Sequence, residues 1–336
     1  MTYIICIGNL SVPMTMTLAQ RNSDFKIVTD QKSLNTFFSA VYGSEAIIYL
    51  PPYPNYKWYR KIAEVFAVIK YKQKLKSLLP FSSGNTIYFF YNAFGFNISW
   101  WLGKISHNNK LLYLPDVDIS MWPKTQAAGP LIKSAYFNFL YNAGSIPVKK
   151  GNFTVFAVSD EFLLRNNVQR IEGAEIDWSI IKEQVNKKYS FSNKQVLLLG
   201  GCNTVEDNFV DEKEFTTKND ALIECLAKDK VVIKVHPRFS KLISREKEIE
   251  LLPSEIPANV LLDQFDIVIG YASSVSYEAV NRGKTAISLL KYFVPTSNKL
   301  AETYIEYLKT NSINKQKLFF PETLEEIKSI LNKNIT

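Results

Sequence analysis

Short apolar, β-rich runs alternate with longer amphipathic stretches along the whole chain, and few folds satisfy that alternation. The runs fall at residues 3–7, 25–28, 46–50, 86–91 and 111–114, and then at 153–158, 195–199, 231–235 and 267–270. Between them lie helix-patterned segments such as 59–79, 220–227 and 276–282. A helix between two strands carries the chain back to the edge where the first strand began, so the strands pair in parallel. The expected class is α/β. The polar, lysine-rich stretch KKYSFSNK, which begins at Lys187, separates the two sets and directly precedes the apolar QVLLLGG. We place the boundary there, giving an N-terminal domain of residues 1–188 and a C-terminal domain of residues 189–336, with the last helix free to return to the first. At 336 residues each half is long enough to bury its own core. Doubly wound domains bind ligands at the carboxyl ends of their strands, and the motifs are sought there.

Several functional classes are disfavoured. The three cysteines, Cys6, Cys202 and Cys225, are odd in number and form no CxxC pair, which argues against a disulfide framework or a zinc knuckle and points to a reducing, cytoplasmic setting. The N-terminal MTYIICIGNLSVPM lacks a basic n-region and reads as a first buried strand and loop rather than a signal peptide. No uncharged apolar run is long enough for a membrane span. A net charge of +8 suits an anionic partner, yet no finger spacing or aromatic RNP-like strand points to nucleic acid.

Four motifs lie at strand ends. Lys234-Val235-His236-Pro237 follows the apolar VVIKV, and the proline holds His236 in an extended backbone. An imidazolium at a strand end neutralises or protonates a leaving phosphate, whereas a hydrogen-bonded loop histidine would be structural. Ser273 and Ser274 stand between a strand ending at Gly270 and a helix, where hydroxyls and backbone amides hold an anion or one serine merely caps the helix. Gly200-Gly201-Cys202-Asn203 ends the first strand of the second half, and glycines let a backbone approach a ligand closely. Asp116 and Asp118, in Leu114-Pro115-Asp116-Val117-Asp118, are a carboxylate pair suited to general-base work or to a solvated turn.

In this order the motifs resemble those of the bacterial GT-B sialyltransferases, including the lipooligosaccharide and polysialic-acid enzymes. His236-Pro237 is similar to their His-Pro motif and Ser273-Ser274 to their Ser-Ser motif, while Ile256-Pro257-Ala258-Asn259 looks like a stretch in one of the families. The resemblance implies two Rossmann-like domains facing a central cleft and an inverting, metal-independent transfer that needs no cofactor. The donor would be a CMP-activated acidic sugar and the acceptor a glycan hydroxyl. Lys234 and His236-Pro237 would act at the CMP phosphate, Ser273 and Ser274 would hold it, Asp263 would bind the ribose, and Gly200 to Asn203 would line the nucleotide. The family's acidic D/E-D/E-G motif is replaced by Pro115-Asp116-Val117-Asp118, so Asp116 is the first choice as base and Asp118 the second, with Asp160 and Glu161 in reserve. The KxHP and Ser-Ser pattern also resembles CDP-glycerol glycerophosphotransferases, with CMP-Kdo transferases as neighbours. A non-catalytic assembly subunit is the alternative from another class.

One segment suggests where such an enzyme works. Lys57, Arg60, Lys61, Lys70, Lys72, Lys74 and Lys76 are interleaved with Trp58, Ile62, Val65, Phe66, Ile69 and Leu75. On a helix, positions 62, 65, 66 and 69 share a face. That face either packs on the first-domain sheet or meets an anionic membrane surface, the inner face of the cytoplasmic membrane.

Overall fold

The computed structural model describes residues 1–51, 61–90, 96–115, 145–150, 153–158, 160–191, 194–201, 204–205, 209–226, 230–236 and 241–334. The chain divides into two compact units, Met1–Ile181 and Lys182–Thr336.

The first unit is built on strands β1 (Thr2–Ile5), β2 (Phe25–Thr29), β3 (Ile47–Tyr49), β4 (Thr86–Phe90) and β5 (Lys110–Leu114), separated by helices α1 (Val12–Arg21), α2 (Lys32–Tyr42), α3 (Lys61–Leu78) and α4 (Phe96–Ile105). A hairpin of β6 (Ser145–Lys150) and β7 (Phe153–Val158), the short helix α5 (Asp160–Arg165) and strand β8 (Gln169–Arg170) follow. The six-stranded sheet has the order β3-β2-β1-β4-β5-β8, and every pairing in it is parallel. All four residues of β1 are buried, as its place in the middle of a two-faced sheet requires. Residues 153–158 do form a strand, but outside this sheet. Among the described residues β7 pairs with β6 alone, antiparallel, and the two residues between them are too few for a parallel crossover.

Helix α6 (Trp178–Asn186) spans the division between the units. The second unit then runs β9 (Val196–Leu199), α7 (Glu212–Cys225), β10 (Val231–Lys234), β11 (Glu250–Leu251), β12 (Ile267–Gly270), α8 (Val275–Asn281), β13 (Thr285–Ser288), α9 (Asn298–Asn311), β14 (Leu318–Phe319) and α10 (Leu324–Asn334). Its sheet is also six-stranded and wholly parallel, in the order β11-β10-β9-β12-β13-β14. One face of the sheet, including Val196, Leu198 and Ile233, shares a core with Leu222 of α7 and with Ile327 and Leu331 of α10. The last helix therefore packs on the sheet of its own unit, because Ile327 and Leu331 supply part of that core.

In each unit the strand order reverses beside the first strand, between β1 and β4 and between β9 and β12. Such a switch point, at the carboxyl ends of the two strands, is where open α/β sheets bind their ligands.

Candidate nucleotide crevice

Three loops leave the carboxyl edge of the second sheet from the adjacent strands β10, β9 and β12. They carry His236, Gly200-Gly201 and Ser273-Ser274. With strands about 4.8 Å apart, the three motifs emerge within about 10 Å of one another along the edge. Motifs separated by up to 74 positions in sequence thus come from one edge, on both sides of the switch point.

The Gly200-Gly201 loop is tightly held. Gly200 donates its N–H to the Lys234 carbonyl at 3.0 Å, and a Cβ there would lie 3.4 Å from the Val235 backbone. At Gly201 a Cβ would fall 1.8 Å from the Phe215 ring, so no side chain fits without displacing a buried aromatic. The Gly201 carbonyl accepts the Thr204 N–H at 2.9 Å, closing a turn. Cys202 and Asn203 lie outside the described residues.

His236 stands two residues beyond the end of buried β10 and is itself half-buried, while Pro237 lies outside the described residues. Lys234 is buried, and its Nζ donates to the carbonyls of Val235 at 2.8 Å and Ser254 at 3.0 Å. Burial lowers its pKa to about 8, with the nearby Glu255 opposing the shift. The ammonium is spent on these carbonyls. Its role in the structure is to fix the backbone on which His236 stands.

At the third loop the two serines divide their tasks. Ser273 Oγ accepts the Val275 N–H at 3.3 Å, and its carbonyl accepts the Ser276 N–H at 3.1 Å. Ser273 thereby shapes the entry into α8. Ser274 has helical backbone angles (φ −58°, ψ −27°) and makes no side-chain capping bond. At Gly270, which ends β12, a Cβ would come within 2.8 Å of Leu199 Cδ1, so a larger residue there requires the leucine side chain to shift.

Asp263 is placed differently. It lies in the 3₁₀ helix Ala258–Gln264, which leads into the amino end of β12, and its carboxylate forms an ion pair with Arg282. Arg282 also donates to the Asn259 carbonyl at 3.2 Å. Burial lowers the Arg282 pKa, while Asp263 and Glu278 oppose the shift. Asp263 is thus committed to neutralising a buried guanidinium, away from the carboxyl edge. Two acids absent from the sequence-based site are bonded to the motif loops. Glu278 lies one turn along α8, its N–H bonded to the Ser274 carbonyl at 3.2 Å. Glu246 is buried beneath Gly201 and accepts its N–H at 3.0 Å. Nothing in the spacing marks Glu246, which stands 45 positions beyond Gly201 in a charge-rich stretch.

In the first unit Asp116 and Asp118 lie outside the described residues. β5 delivers the chain to Pro115 at the carboxyl edge, beside β4. Asp160 and Glu161 open the short helix α5.

No family profile and no curated protein matches the sequence. Among solved structures, the chain is similar over 99% of its length to all of a UDP-GlcNAc 2-epimerase from Methanocaldococcus jannaschii, at 14% identity and a TM-score of 0.42. It is similar over the same share to 99% of the E. coli heptosyltransferase WaaC with ADP, at 13% identity and a TM-score of 0.44. A third likeness covers 99% of this chain and 90% of the glycosyltransferase SnogD from Streptomyces nogalater, at 14% identity and a TM-score of 0.44. The strand orders within each unit, rather than these scores, carry the fold assignment: α/β, with two Rossmann-like units in one chain, the composition of the GT-B class.

Proposed function

We propose that the protein is a GT-B glycosyltransferase that moves an acidic, sialic-acid-like sugar from a CMP-activated donor to a hydroxyl of a cell-surface glycan. The observation that carries this reading is the convergence of Gly200-Gly201, His236 and Ser273-Ser274 on one carboxyl edge around the β9/β12 switch point. In this scheme the glycines admit the nucleotide against bare backbone, and the Ser274 hydroxyl donates to the phosphate. His236, as imidazolium, protonates that phosphate as the anomeric carbon–oxygen bond breaks. The acceptor oxygen attacks the opposite face of that carbon and yields its proton to Asp116, so one displacement inverts the centre. With Asp263 tied to Arg282, Glu278 takes the ribose hydroxyls. The charge of +8 favours an anionic donor throughout.

CMP is expected to bind the protein, and to bind less tightly as salt rises, because a charged phosphate contact is screened. Calorimetry checks this, and tighter binding of UDP or GDP than of CMP would sink the cytidine assignment. A mass-based screen of CMP-sialic acid, CMP-Kdo, other CMP-nonulosonates and CDP-glycerol then identifies the donor, consumption of CDP-glycerol alone favouring glycerophosphate transfer.

Membrane attachment belongs to the same proposal. No helix among the described residues is long and apolar enough to cross a membrane. α3, however, is apolar on two sides. Val68, Tyr71 and Leu75 form its buried stripe, whereas Phe66 is 64% and Ile69 50% exposed, beside exposed Lys70, Lys74 and Lys76. The face expected from positions 65, 66 and 69 is therefore not the buried one. Of the ten exposed large hydrophobics among the described residues, four (Phe66, Ile69, Leu78 and Phe81) fall in this short region, so the exposure is local. Apolar side chains ringed by lysines suit an anionic bilayer surface, each lysine contributing on the order of 1 kcal/mol. The protein is expected to sediment with anionic vesicles, to be released by high salt, and to bind less when Lys70, Lys72, Lys74 and Lys76 become Gln. Equal sedimentation with neutral vesicles would overturn the electrostatic part.

A further inference from the structure

We infer that Glu246 is a positioning residue of the nucleotide crevice, its single carboxylate fixing the loop after β9 against the loop after β10. The inference rests on the nucleotide reading above and adds to it a residue that no motif contains. Glu246 lies in the 3₁₀ turn Ser244–Glu248 and is 1% exposed. Its Oε1 accepts the Gly201 N–H at 3.0 Å, and its Oε2 accepts the Ile243 N–H at 2.9 Å. Asn219 of α7 donates to Oε1 from 3.5 Å. Three segments distant in sequence thus meet on one side chain.

The identity of the residue follows from the donors. Two backbone N–H groups and an amide point at it, and a carboxylate accepts on both oxygens. Glutamine would set an NH₂ group against one of the N–H groups. Gly201 is pressed from its other side by the Phe215 ring, so its position is defined between an aromatic wall and a charge. Because Gly201 N–H is engaged by Glu246, it is not offered to the phosphate. What Glu246 supplies is the placement of the Gly200-Gly201 backbone at the end of β9.

Stability alone gives little reason for a charge here. Burial raises the Glu246 pKa, and the hydrogen bonds from Ile243, Gly201 and Asn219 offset this only in part, while Asp220 adds repulsion. A buried charge without a full countercharge is a poor route to a stable fold. A defined crevice wall is what it provides in return.

The test uses the full chain carrying Glu246→Gln. The variant is expected to stay folded, to bind CMP about tenfold more weakly, and to show a raised KM for the donor with an unchanged KM for the acceptor. A folded variant with wild-type CMP affinity would overturn the inference, as would equal losses toward donor and acceptor. Wild-type protein that binds no nucleotide would instead overturn the nucleotide reading, and this inference with it. Should the variant not fold, the wild type still decides. Gly200-Gly201 is the only Gly-Gly pair in the chain, so ¹³C′/¹⁵N-glycine labelling isolates the Gly201 amide. Its resonance is expected to shift when CMP is added, and an unmoved resonance at saturating CMP would sink the proposal.

Discussion

Replacing His236 with alanine is expected to lower turnover by about two to four orders of magnitude, the usual range for a lost general acid, while the variant remains folded. The fold is spared because His236 lies beyond β10, whose four residues are all buried, and is itself only half-buried. The anchoring of this region is the work of Lys234, whose Nζ holds two carbonyls irrespective of the imidazole. In the proposed scheme the rate falls because, among the described residues of the three loops, Ser273 is engaged in shaping α8 and the Lys234 ammonium is turned to the backbone, which leaves His236 as the acid. Single-turnover kinetics on the folded variant check this. Near-normal turnover would make His236 a structural residue.

Asp116→Asn is expected to remove transfer to a comparable degree, about two to four orders of magnitude, with CMP affinity retained. Asparagine keeps the size of the side chain and its capacity to hydrogen-bond but cannot take a proton from the acceptor hydroxyl. CMP binding survives because the candidate nucleotide loops all belong to the second sheet, whereas Asp116 follows β5 of the first. Asp118→Asn is expected to be milder. Parallel measurement of CMP affinity and transfer separates the two functions. The reverse ranking would exchange the two roles, and full activity in both variants would move the base to Asp160 or Glu161.

The sheet cores were legible in the sequence because buried parallel strands must be nearly continuous apolar runs. Residues 267–270 are strand β12, and 231–235 becomes β10, shortened by one residue at the valine that leads to His236. Of the edge strands, β3 was read at 46–50, but the shortest ones were not legible. β8 and β11 have two residues each, all exposed, and carry no periodic signal. β13 is fully buried but brief, with Thr285 and Ser288 at its ends, and reads like a loop. For α7 only the apolar C-terminal half, 220–227, was visible. Its polar first half is held by the Asp211 carboxylate, which accepts the Lys213 and Glu214 N–H groups at 2.9 Å and 3.2 Å. That Asp-Glu-Lys-Glu cap was the overlooked start signal.

The site divides in the same way. Motifs that sit at strand ends were found because strand ends can be located. The pairings Asp263–Arg282 and Glu246–Gly201 depend on how loops fold over the sheet, and no local pattern encodes them. α3 shows the limit of periodicity from another side. With apolar residues on both faces, the sequence pattern alone did not say which face was inward, and the buried Val68-Tyr71-Leu75 stripe answers it.

The two sheets share one strand order, each reversing once beside its own first strand. Each half of the chain therefore has its own switch point and borrows no strand from the other to build it. Under the proposed function this is modularity: the loops of one half are free to diversify while the other half is kept, and chimeras joined near the division at Ile181 and Lys182 are expected to inherit donor preference from one parent and acceptor preference from the other.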